Sequence, residues 1–196
     1  MKKIIFVILV LTSANFSNAQ NFQVGLKGGG NVSNFTGGDF DDVKKKAIVG
    51  IHAGAYMKIK FTKFSLQPEV MVSTQGAKID SLSGSSYDWK ITYINVPVML
   101  QYNFDGGFYV EAGPQVGFST DQDFANSTIE DFANDLDFSA AIGLGIHNKT
   151  GLGLGTRYMA GISKVGEFTP SSGINPDFKN SVLQISLYIP LTPGKK

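Results

Sequence analysis

Five ionisable side chains stand out because each falls in an otherwise apolar or glycine-rich stretch: Lys27, His52, Glu69, Glu111 and Arg157. An arginine with two carboxylates and a lysine has the chemistry of a bidentate ion-pair network, or of a charged path for a solute. Catalysis is a poorer match. The chain has two histidines, His52 and His147, and no cysteine. A serine–histidine–carboxylate set needs its members at one depth beside an open groove, and the spacing supplies no such cluster. Two isolated histidines are also too few for a metal centre. Gly28-Gly29-Gly30 has no following helix to make a phosphate loop. Asp39, Asp41 and Asp42, followed by Lys44, Lys45 and Lys46, depart from the spacing of a calcium loop and read as a solvated charged loop. The expectation is a non-enzymatic chain with no catalytic residue, cofactor or metal.

The elements that would carry these groups repeat with a period of two. Phe22, Val24 and Leu26 alternate with Gln23, Gly25 and Lys27, and Val49 through Ile59 alternate with Gly50, His52, Gly54, Tyr56 and Lys58. The same pattern recurs around Glu69, from Tyr93 to Tyr102, around Glu111, from Leu136 to His147, around Arg157 and from Val182 to Leu191. Eight alternating segments of about ten residues suit tilted strands crossing a bilayer. Short turns at Lys60–Lys63, Asn103–Gly106 and Asn148-Lys149 separate four long polar stretches, Ser33–Ala47, Ala77–Asp88, Ser119–Asn134 and Ser163–Phe178. This is the loop pattern of an all-β, eight-stranded, up-and-down antiparallel transmembrane β-barrel with both termini on the short-turn, periplasmic side.

The ends and the composition agree with that frame. Lys2 and Lys3, the apolar run Ile4–Leu11 and the small-residue site Ser17-Asn18-Ala19 read as a secretory signal peptide over 1–19, leaving 20–196 as one barrel domain. Only 17% of residues are charged and the net charge is +1, which gives no case for nucleic acid. A soluble barrel would bury its apolar face, whereas a membrane barrel shows it to lipid. The glycine-rich polar face favours lipid outside, since glycine on an open sheet surface weakens a strand for no gain. Phe22, Phe61, Phe64, Tyr102, Phe104 and Phe108 gather at the short-turn end like an interfacial girdle. Pro68, Pro97, Pro114 and Pro190 fall within segments, and bulges are expected there.

Val24-Gly25-Leu26-Lys27-Gly28-Gly29 with Asn31, Ser33, Asn34 and Phe35, then Tyr93-Ile94-Asn95-Val96-Pro97, Glu111-Ala112-Gly113-Pro114 and Gly155-Thr156-Arg157-Tyr158, together resemble the PorT-like outer-membrane β-barrel family of Bacteroidetes. The ending departs from it: Ile189-Pro190-Leu191 and Thr192-Pro193-Gly194-Lys195-Lys196 stand where a terminal aromatic is common. The resemblance implies an outer-membrane barrel, and its namesake is associated with type IX secretion and gliding. Three roles follow as expectations. They are a structural or surface-binding barrel acting through its long loops, an accessory of a secretion apparatus, and a narrow channel. The expected surroundings are outer-membrane lipid, lipopolysaccharide and other envelope proteins, with the barrel itself a monomer. Within the lumen, Arg157 is expected to reach Glu111 or Glu69, with Lys27 serving the remaining carboxylate.

Overall fold

In the computed structural model, residues 22–36, 44–80, 86–124, 136–163 and 179–192 are described; the expected signal peptide lies outside them. They form eight strands: β1 Phe22–Thr36, β2 Lys44–Phe61, β3 Phe64–Asp80, β4 Ser86–Asn103, β5 Phe108–Phe124, β6 Leu136–His147, β7 Gly153–Gly161 and β8 Lys179–Pro190. Each pairs antiparallel with the next, and β1 pairs with β8 to close the barrel. The closing seam continues past the last strand. Val24 N donates to Thr192 Oγ1 at 2.9 Å, and Leu191 N donates to Val24 O at 2.8 Å.

The period-two pattern becomes two surfaces. Outward-facing Leu26, Ile51, Ile142 and Ile185 are exposed, while inward-facing Lys27, His52, Glu69, Asn95, Gln101 and Gln184 are buried. A soluble sheet has the reverse arrangement, so the exposed apolar band is the surface that suits lipid. At the short-turn end Phe61, Phe64, Phe104 and Phe108 are exposed. There Phe64 packs edge-on against Tyr102 and Tyr102 against Phe104, with centroids 5.2 and 4.9 Å apart.

Three details differ from expectation. First, the strands run into the stretches read as loops. Ser33–Thr36 extends β1, Lys44–Ala47 opens β2, Ala77–Asp80 ends β3 and Ser119–Phe124 ends β5. Apolar alternation marks only the part of a strand that meets lipid, and pairing continues beyond it. What remains of the long stretches, at 37–43, 81–85, 125–135 and 164–178, lies outside the described residues.

Second, the wall prolines are not bulged. The β2–β3 ladder skips Met57 and Lys58 opposite Gln67 and Pro68, then resumes in the same register. The β3–β4 ladder skips Glu69 and Val70 opposite Val96 and Pro97, and the β4–β5 ladder skips Val98 and Met99 opposite Gly113 and Pro114. Each proline lacks the N–H that would bond the preceding strand, so the seam opens locally without inserting a residue. Pro190 is the last residue of β8 and interrupts nothing. Third, the register does shift elsewhere, between Ala47 and His52 and between Thr92 and Tyr93.

Candidate functional site: a lumenal ion cluster

Strand parity sends Lys27 of β1, Glu69 of β3, Glu111 of β5 and Arg157 of β7 into the lumen, and the structure brings all four together. Arg157 Nη1 and Nη2 donate to Glu69 Oε2 and Oε1 at 2.9 and 2.6 Å. Its Nε donates to Glu111 Oε1 at 2.8 Å. One guanidinium thus holds a carboxylate on each of two strands, the fork geometry that lysine cannot supply. Lys27 Nζ donates to Glu69 Oε2 at 3.0 Å, so it shares the carboxylate that Arg157 clasps rather than taking the remaining one. All four side chains are at most 1% exposed.

Two amides complete the cluster. Gln67 Nε2 donates to Glu69 Oε1 at 2.8 Å. Gln101 Nε2 donates to Glu111 Oε2 at 2.9 Å and to Gln67 Oε1 at 3.1 Å. Glu69 therefore accepts four hydrogen bonds and Glu111 two. Two cations face two carboxylates, so the cluster is neutral and its charged atoms are satisfied, which is what groups at this burial require. Sequence reasoning missed both glutamines, because uncharged amides carry no alarm at membrane depth. Parity alone placed them on the right face.

Glycine makes the pairing possible. Gly143 lies between the two partners in the sheet, opposite Glu111 on one side and Arg157 on the other. A Cβ there would stand 2.8 Å from Glu111 Oε1, where the guanidinium bond now forms.

His52, expected in this network, also faces the lumen but is not hydrogen-bonded to the four charged groups. Its Nε2 shares a 2.8 Å hydrogen bond with Ser186 Oγ, and its Nδ1 is buried without a partner. His147 ends β6, its ring stacked on Tyr109 with centroids 5.2 Å apart. Lys58 Nζ lies 5.3 Å from the Tyr109 ring centroid, a cation–π contact. Tyr109 also packs edge-on against Tyr188, which packs against Tyr56. Arg157, Tyr109, Tyr93, Gln67, Gln101, Met71, Met99 and Met159 are each under 2% exposed, so side chains fill the lumen at successive levels.

A family model described as outer membrane protein beta-barrel domain matches residues 18–167. Among solved structures, Neisserial surface protein A is similar with a TM-score of 0.55 at 10% identity, over 86% of this chain and 96% of that one. OprG from Pseudomonas aeruginosa is similar with a TM-score of 0.52 at 14% identity, again over 86% and 96%. At such identities the likeness is one of fold. No curated protein matches the chain in sequence.

Proposed function

Because the chain belongs to the outer membrane protein beta-barrel domain family, we propose that it is a non-enzymatic, axially closed barrel that presents its long connections at the cell surface to bind external ligands or envelope partners. The observation that carries this reading is the filled lumen. A neutral ion cluster with both carboxylates hydrogen-bonded crosses it from β1 and β7 to β3 and β5, and buried side chains lie on either side of that cluster. Eight strands leave an interior that side chains can fill, and here they do. A membrane domain closed in this way works as a scaffold, so recognition falls to the parts outside the bilayer. The role of Lys27, Glu69, Glu111 and Arg157 is then to hold the strands in register rather than to pass a solute.

In this reading the segment over 1–19 is cleaved on export, and the short-turn end with both termini faces the periplasm. The sequence motifs support a PorT-like branch and a Bacteroidetes envelope as the setting. Two measurements test the proposal. In planar bilayers the refolded barrel should give no steady ion conductance. In native outer membranes, crosslinking should capture partners through 37–43, 125–135 and 164–178, and replacing those segments with short turns should abolish capture while the barrel still assembles. Steady conductance that vanishes in Arg157 variants would refute the closed scaffold and favour the channel. Capture of secretion components through the short-turn side would favour the accessory role.

A further inference from the structure

The ion cluster is neutral by itself, and a further lumenal cation, Lys58, stands outside it. Lys58 faces inward from β2 close to the short-turn end and is 4% exposed. Among the described residues no carboxylate pairs with it, since Glu69 and Glu111 are held by Lys27 and Arg157. Its ammonium rests over the ring of Tyr109 instead, 5.3 Å from the centroid. A cation–π contact offsets part of the cost of burying an ammonium and leaves the rest unmet. The next inward position on β2, paired with Ser65 at the mouth, is a second lysine, Lys60, which acts on Lys58 as a like charge.

The other polar groups at this mouth add no negative charge. His147 meets the same Tyr109 ring from β6, stacked at 5.2 Å, and its Nε2 is buried and without a partner among the described residues. The charges that act on His147 are those of Lys58 and Lys60, both cationic. Gln23, opposite Lys58 in the β1–β2 register, is also buried. Its amide nitrogen makes two contacts of 3.5 Å, to the carbonyls of Thr150 and Thr192. That distance is the outer limit of a hydrogen bond, so the amide keeps a donor in reserve.

An ammonium, an imidazole nitrogen and an amide N–H converging beside a second lysine are the donor set of an oxyanion site, and two lysines repel a cation. We propose that the short-turn mouth of the lumen binds a small oxyanion, a phosphate or carboxylate group, that bridges Lys58 and His147 over the Tyr109 ring, with Lys60 supplying attraction from the rim and Gln23 a further N–H. Binding gives Lys58 the anionic partner that Lys27 and Arg157 already have. The proposal rests on the barrel fold and not on the role of the long connections.

The chain's two histidines make the test specific. His147 reports the mouth, while His52, bonded to Ser186, reports the lumen beyond it. The full chain, isotope-labelled at histidine and refolded in uncharged detergent micelles, is titrated with sodium phosphate or sodium acetate. The pH is fixed and ionic strength is held constant with sodium chloride. The expected result is a saturable shift of the His147 ring nitrogens with His52 unmoved, and the anion that saturates at the lower concentration identifies the group. Lys58→Met should abolish the shift. Lys60→Met alters a half-buried side chain and should weaken binding about two- to fivefold, which keeps the test decisive if Lys58→Met does not assemble; gel mobility without boiling reports assembly. No saturable shift with either anion, or saturation unchanged in these variants, would overturn the site and leave Lys58 to Tyr109 and solvent.

Discussion

Replacing Arg157 by methionine removes the group that, among the described residues, bonds both Glu69 and Glu111, while keeping similar bulk. At about 3 Å and an effective dielectric near 20, each guanidinium–carboxylate contact is worth roughly 5–6 kcal/mol before desolvation is counted. Breaking a buried pair by removing one partner nets about 3–5 kcal/mol, and that is the expected loss for Arg157→Met. The two carboxylates are not stranded equally. Among the described residues, Glu69 keeps Lys27 and Gln67, whereas Glu111 keeps Gln101 alone. Adding Glu111→Gln to Arg157→Met should therefore recover a large part of the loss. Adding Glu69→Gln should recover less, because it leaves Lys27 alone with an unclasped Glu111. The assay is urea unfolding of the barrel in vesicles, followed by the mobility of unboiled protein on a denaturing gel, with the couplings taken from double-mutant cycles. An Arg157→Met barrel within about 1 kcal/mol of wild type, or equal recovery from both carboxylate changes, would refute the assignment of charge in the cluster.

Three further outcomes follow from the wall. Ile142, exposed on the outer face, should not tolerate arginine: about 2–4 kcal/mol of lost stability is expected, measured by the same unfolding transition. Thr62 holds a left-handed φ of 52° in the β2–β3 turn, so Thr62→Gly should raise stability by about 1 kcal/mol, seen as a later urea midpoint. A Cβ on Gly155 would stand 2.5 Å from the Tyr109 hydroxyl; Gly155→Ala should cost about 1–3 kcal/mol, most of it recovered when Tyr109→Phe is added, and no recovery would place the clash elsewhere.

Much of this architecture is legible in the chain because a strand between lipid and a polar lumen must alternate at every residue. Phe22, Val24 and Leu26 against Gln23 and Lys27 already declare their faces. Parity, however, gives a face and not a depth. It grouped His52 with Lys27 and Arg157, whereas His52 bonds Ser186, its neighbour in the same row across Gly29. It could not tell that Arg157 would serve two carboxylates, since partners 46 and 88 residues away meet only once the sheet has closed. The strand ends were missed where alternation stops, at Ala77–Asp80 and Ser119–Phe124, because pairing outside the bilayer needs no apolar face. The prolines were visible, but whether a ladder bulges or merely skips depends on the register of the neighbouring strand.

Closure by β1 and β8 has a consequence for how the molecule is made. The partner of Leu26 is Ile189, and the partner of Thr36 is Lys179, so the first strand synthesised waits for the last before its second edge is covered. Loop-closure entropy is met in full at that final step, and no smaller subset of strands ends without two open edges. A chain cut short before Lys179 would keep seven strands of alternating pattern and still offer an unsated β1 to any passing strand, its own copy included. The clasp of Val24 on Leu191 and Thr192 can therefore fasten only after β8 has been made and laid against β1.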